Sequence, residues 1–157
     1  MTEEQTMARL DHESWLLVAD GARALLFRNE GTANEPRLKV VRAYEQDNAP
    51  SRDQGTDKPG RTNSSVGFHR SSMEVPDWHR IAEDKFMLRI AVDLANDVAA
   101  KRTRKLVLAL PPVALGVLRK VMSAETVAVV TAELDKDYTN LSTPDLERAI
   151  VAALDRA

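Results

Sequence analysis

Residues 14–21 read Ser-Trp-Leu-Leu-Val-Ala-Asp-Gly. From Ser14 to Asp20 there is no polar alternation, the pattern of a strand buried on both faces of a sheet. Asp20-Gly21 closes it with a tight-turn signal. A two-residue hairpin there calls for left-handed backbone, which Asp and Gly supply, so the chain is expected to turn and pair back on itself.

Working outward, Ala22–Arg28 (Ala-Arg-Ala-Leu-Leu-Phe-Arg) is the returning strand, antiparallel to the first, and 31–36 is a second turn. Arg37–Tyr44 alternates, with Leu38, Val40 and Ala43 against Lys39 and Arg42, as a strand with one wet face does. Residues 1–12 carry Glu3, Glu4 and Asp11 and read as a loose lead-in. Residues 45–77 hold Pro50, Gly55, Pro59, Gly60, Gly67 and Pro76 and few aliphatics. A loop this long is expected to be disordered rather than an ordered functional loop. It begins acidic (Asp47, Asp53, Asp57) and turns basic from Lys58 to Ser72, with Lys58, Arg61, His69 and Arg70 and no carboxylate.

After Pro76, Asp77 reads as the cap of a helix over Trp78–Arg102, with Trp78 a packing anchor. Met87, Ile90, Ala91, Leu94, Ala95 and Val98 form its apolar stripe. Glu83, Lys85, Arg89, Asp93 and Asp97 are assigned to its wet face. The basic turn from Lys101 to Lys105 suits the negative end of the helix dipole. Leu106–Leu110 is a second buried strand, stopped by Pro111-Pro112. A short helix over Val113–Met122, a fifth strand over Val127–Leu134 and the charged Asp135-Lys136-Asp137 follow. Ser142-Thr143-Pro144-Asp145 starts the last helix, with Pro144 in its first turn.

The order is β-β-β-α-β-α-β-α in one α/β domain spanning 1–157. Right-handed crossovers put the fourth strand parallel beside the first and the fifth beyond it. The expected sheet is five-stranded and mixed, in the order 3-2-1-4-5 with strand 2 antiparallel, as in ribonuclease H-like folds. The strand order reverses between strands one and four, so a crevice opens at their carboxyl ends. Asp20, Gly21, Arg23, Pro111, Pro112, Asp135, Lys136 and Asp137 surround it. The long loop leaves strand three at the same edge, so Lys58, Gly60, Arg61, His69 and Arg70 join the candidate ligand-binding set.

Composition narrows the chemistry. The chain has no cysteine, which excludes disulfides, thiolate catalysis and cysteine-held zinc. Three histidines at no ligand spacing argue against a histidine metal site, and no cofactor is expected. A formal net charge of −2 gives no global pull toward nucleic acid or anionic membrane. No apolar run approaches the ~20 residues that span a bilayer, and the first dozen residues lack a signal-peptide core. The expected compartment is the cytoplasm. A two-metal nuclease needs several convergent carboxylates, whereas Asp20 and Glu83 are at most two.

Several stretches together resemble the bacterial host attachment proteins, a family required for attachment to host cells. They are Trp15–Phe27 (WLLVADGARALLF), Gly60-Arg61 with Ser65, Gly67, Arg70 and Glu74, then Phe86, Leu106–Lys120 (LVLALPPVALGVLRK) and 135–142 (DKDYTNLS). That family is similar to the middle domain of archaeo-eukaryotic peptide-chain release factors. The release-factor domain has the same strand order and carries a Gly-Gly-Gln loop between its third strand and first long helix. Here the nearest text is Gly60-Arg61-Thr62 and Gly67-Phe68-His69, so peptidyl-tRNA hydrolysis by that motif is not implied. At Val113-Ala114, where the family carries a basic and an aromatic residue, the chain departs from the pattern. The resemblance implies a role in host attachment. Joined to the basic loop, it gives a non-enzymatic binding protein for RNA, the ribosome or an anionic, phosphorylated small ligand. The competing expectation is a divergent hydrolase of RNA or peptidyl-tRNA. The wet third strand is a candidate homodimer edge.

Overall fold

The computed structural model describes residues 9–46 and 78–156. The elements are β1 (Trp15–Ala19), β2 (Arg23–Asn29), β3 (Leu38–Glu45), α1 (Trp78–Ala99), β4 (Leu106–Ala109), α2 (Pro112–Val121), α3 (Ala124–Val129), β5 (Val130–Leu134) and α4 (Thr143–Arg156). They form a sheet in the order β3-β2-β1-β4-β5, the order expected from sequence. β2 runs antiparallel to β1 and β3, while β4 runs parallel to β1 and β5. Every residue of β1 and β4 is buried, which explains why neither strand shows polar alternation.

Alternate side chains of β1 feed two cores. Trp15, Leu17 and Ala19 meet Met87, Ile90 and Leu94 of α1 and Leu115 and Leu118 of α2, with Val129 of α3 at the margin. Leu16 and Val18 face the other way, toward Leu146, Ile150 and Leu154 of α4. Three helices thus serve one face and a single helix the other. Leu10, from the expected lead-in, is 2% exposed and belongs to the second core.

Four expectations are corrected. First, Val127–Val129 lie in a helix, not in the fifth strand, so the order is β-β-β-α-β-α-α-β-α. Ser123 caps α3 by accepting the Thr126 amide at 3.1 Å, and Glu125 sits in the first turn. This cap outweighs the strand preference of Val127 and Val129. Second, Val40 and Ala43 are exposed while Leu38 and Tyr44 are buried. Leu26 pairs with Arg42 but Phe27 with Val40, so Val41 is an extra residue that shifts the phase of the strand. Third, Asp97, assigned to the wet face of α1, is 1% exposed. Arg42 reaches its carboxylate at 2.5 Å and Arg102 at 2.9 Å. Tyr44 also donates to Asp93 at 2.8 Å and accepts from Arg42 Nε at 2.7 Å. Burial, reinforced by the Asp93 carboxylate, pushes the Tyr44 phenol up to about 12. Fourth, α1 ends at Ala99, and Trp78 at its start is 65% exposed rather than a packing anchor.

The expectations for 47–77, including the Asp77 cap and the disorder of the loop, lie outside the described residues.

Candidate functional site

The register aligns Val18 with Ala109 and Ala109 with Leu134. The residues that follow each strand, Asp20, Pro111 and Asp135, therefore arrive at one edge of the sheet. The edge forms where the strand order reverses between β1 and β4, the position at which open α/β sheets present ligand crevices. Gly21, Arg23, Pro112, Lys136 and Asp137 complete the described part of the predicted set there. Lys58, Gly60, Arg61, His69 and Arg70 lie outside the described residues.

Asp20 holds the β1–β2 turn. Its Oδ1 accepts the amides of Ala22 at 2.7 Å and Arg23 at 2.8 Å. Its own amide donates to the Arg23 carbonyl at 2.9 Å. No described glycine has a positive φ, so the left-handed hairpin expected at Asp20-Gly21 is replaced by a turn that a carboxylate closes. Gly21 leaves room for the mobile end of a side chain from α1. A Cβ there would stand 2.6 Å from Glu83 Oε2. Gln46 tethers the same turn, its side-chain amide donating to the Gly21 carbonyl at 2.7 Å and its backbone amide to Ala22 O at 2.8 Å.

Glu83, on the first turns of α1, brings a second carboxylate against this hairpin. Its partial burial raises the carboxyl above the usual range, with Asp84 and Asp20 adding repulsion and Arg80 opposing. Across the edge, Thr139 links the strand-five loop to the hairpin. Its amide donates to Asp137 Oδ1 at 2.8 Å and its hydroxyl lies 2.5 Å from the same oxygen and 3.4 Å from Asp20 Oδ2. Lys136 lies 6.0 Å from the centre of the Tyr138 ring. Burial raises the Tyr138 phenol. Pro111 caps α2 in extended backbone and its carbonyl accepts the Leu115 amide at 2.9 Å, with Pro112 opening the helix.

A cavity of about 470 Å³ opens beside these residues on the face that α4 only partly covers. Val18, Leu25 and Phe27 form its floor from β1 and β2, Tyr138 and Leu146 its far wall, and Arg23 and Thr139 part of its rim. Leu25 keeps 37% of its surface exposed. The size and the mix of apolar wall and few polar groups suit a small ligand or a single inserted side chain. Sequence reasoning missed this cavity. The available signal was numerical: one helix follows the last strand, too little to cover a five-stranded face.

Chemically, this edge gathers the Thr139 hydroxyl and two cationic side chains, Arg23 and Lys136. Asp20 Oδ1 takes two backbone amides and so clasps the turn, while Oδ2 lies 3.4 Å from the Thr139 hydroxyl, whose one proton points at the closer Asp137 oxygen. Among the described residues no group of three or more His, Cys, Asp or Glu side chains is placed to hold a metal ion. Nor, among them, is any helix long and apolar enough to cross a membrane.

The family described as bacterial archaeo-eukaryotic release factor family 12 matches residues 13–150. No curated protein matches the chain. The crystal structure of the archaeal translation termination factor aRF1 aligns with a TM-score of 0.44 at 9% identity. That alignment covers 90% of this chain and 39% of aRF1, so the chain spans well under half of that protein.

Proposed function

The chain belongs to the bacterial archaeo-eukaryotic release factor family 12, and from that premise we propose a non-enzymatic protein that binds RNA on the ribosome at its strand-end edge. The observation that carries this reading is the crevice itself. A cavity rimmed by Arg23 and Thr139 lies over β1, β2 and β3, next to the edge at which the strand order reverses. Gln46, the last described residue before segment 47–77, bonds to Gly21 of the same hairpin. That segment supplies Lys58, Arg61, His69 and Arg70, with Gly60 beside Arg61. Forked guanidinium donors suit phosphodiesters. Lys136, Pro111 and Pro112 lie at the same sheet edge, outside the cavity wall. Such a protein acts in the cytoplasm, and any effect on attachment to a host is indirect, through what the ribosome synthesises.

A hydrolase reading has one observation of its own, the raised Glu83 carboxyl beside Gly21. Release of peptide from peptidyl-tRNA, lost in Glu83→Gln, would establish it.

The test of the binding reading is co-sedimentation with purified ribosomes over a salt series. Wild type should pellet with ribosomes at low salt and leave them as salt rises. Arg23→Ala and the Arg61→Ala/Arg70→Ala double variant should bind more weakly, with a shallower salt slope. Wild type that stays in the supernatant at low salt, or variants that match it throughout, would remove the reading.

A further inference from the structure

The opposite end of the sheet, where β1 and β4 begin, carries a second cleft of about 500 Å³. It is walled by the turn before β1, by Arg28 on β2 and by the loop that joins α1 to β4. Five cations line it: Arg28, Lys101, Arg102, Arg104 and Lys105. We propose that this cleft binds a phosphate group, carried either on a small phosphorylated molecule or in a nucleic-acid backbone.

The first support is the way the cations are held. Arg28 is paired with Glu30, Arg102 with Asp97 and Lys105 with Asp11. Each pair fixes a side chain while leaving donors unspent, since a guanidinium has five N–H groups and an ammonium three. Lys101 and Arg104 have no ion pair among the described residues. The one carboxylate in the wall is Glu13, which leans toward His12 at 3.8 Å with 76% of its side chain exposed.

The second support is independent of charge. Ser14 lines the same cleft, is 2% exposed, and its hydroxyl has no hydrogen-bond partner among the described residues. A buried hydroxyl left unmatched is costly, and such groups are rare in folded proteins. Turned into the cleft by rotation about χ1, that hydroxyl would donate to a phosphate oxygen there.

The third support is backbone strain. Glu13 at φ 72° and Lys101 at φ 62° are the non-glycine residues with left-handed backbone among the described residues, and both line this cleft. Lys101 occupies the position after α1 that glycine usually fills. Its amide bonds to Val98 O at 3.0 Å and that of Arg102 to Asp97 O at 2.9 Å, the double bond pattern of a left-handed helix cap. These amides already satisfy the last carbonyls, so the cap does not need the side-chain cations. The negative end of the α1 dipole opposes an anion with about half a charge, less than the cationic wall supplies.

The test uses the full chain. Its thermal midpoint is followed with sodium pyrophosphate, and with sodium chloride at matched ionic strength. Pyrophosphate should raise the midpoint of wild type where chloride does not. Ser14→Ala, and Lys101→Gly combined with Arg104→Ala, should each raise the half-saturating concentration by about tenfold or more. Lys101→Gly relieves a left-handed lysine, so by itself it should raise the midpoint in ligand-free buffer, which shows the fold intact. A second arm measures a short fluorescent RNA by anisotropy. RNA bound and displaced by pyrophosphate assigns the phosphate to a nucleic-acid backbone. Pyrophosphate binding without RNA binding assigns it to a small phosphorylated molecule. Equal responses to pyrophosphate and chloride, or variants whose response matches wild type, overturn the site.

Discussion

The two turns that flank β2 are each tied by one Asx side chain, and they are tied very differently. Asp20 sits part-exposed at the strand-end edge and takes two backbone amides on one oxygen. Asn29, at the other edge, is fully buried. Its Oδ1 accepts the amides of Gly31 at 2.8 Å and Arg37 at 2.9 Å. Its Nδ2 donates to the carbonyls of Leu10 at 2.8 Å and Thr32 at 3.1 Å. A carboxylate can only accept, so Asp20 ties one turn locally. An amide donates as well, so Asn29 ties the β2–β3 turn to the segment that leads into β1. Polarity placed at the rim is a local fastener, whereas polarity placed in the interior joins three stretches of chain.

Removing each fastener should expose that difference. Asn29→Ala leaves the buried Leu10 carbonyl and three part-buried backbone groups without their partner and should lower stability by about 3 kcal/mol in urea unfolding. Asn29→Asp should be nearly as damaging, because it keeps the acceptor, loses both donors and buries a charge. Gly31 lies inside the Asn29 turn, where a Cβ would meet Glu35 O at 2.3 Å and Arg37 N at 2.8 Å. These are backbone atoms that cannot step aside, so Gly31→Ala should lower stability by about 2 kcal/mol. At the other edge, Asp20→Ala should lose only about 1 kcal/mol, and Asp20→Asn, which keeps an acceptor, much less. If Asp20→Asn proved as harmful as Asn29→Asp, the contrast between rim and interior would fail.

The smallest effect concerns Glu83 beside the Asp20 turn. Its carboxyl is raised in the folded chain, so the folded state holds that proton more tightly than the unfolded one. The stability this supplies is full below the usual carboxylate range and is lost as pH rises through the raised value. Glu83→Gln should flatten that part of the pH–stability curve, measured by urea midpoints on the acid side of neutrality.

The architecture was legible because burial on both faces leaves a mark that composition alone can carry. Trp15–Ala19 and Leu106–Ala109 admit no polar residue, and two such strands must be interior neighbours. What failed were readings that depend on a partner distant in sequence. Asp97 looks like a solvated helix residue until Arg42 of β3 is known to reach it. The phase of β3 flips at Val41, and nothing in Leu38–Glu45 announces one extra residue. The described residues assigned to the strand-end edge follow from strand order alone, since β1, β4 and β5 run parallel. The cause of its turn was misread, because carboxylate closure and left-handed backbone favour the same Asp-Gly pair. The buried hydroxyl of Ser14 was hidden for the same reason as Asp97, since unmet hydrogen bonding is a property of surroundings.

The bulge at Val41 has one more effect. β3 is the outermost strand on its side, and a straight outer strand invites a stranger to continue the sheet, the first step toward aggregation. The extra residue breaks the even spacing of outward-facing peptide groups, and the Glu147 carboxylate takes the Leu38 amide at 2.8 Å. Val40 and Val41, with 56% and 37% of their surfaces exposed, would otherwise be an adhesive stretch. An irregularity that looks like a lapse in pairing thus works as a guard rail against edge-to-edge pairing along β3.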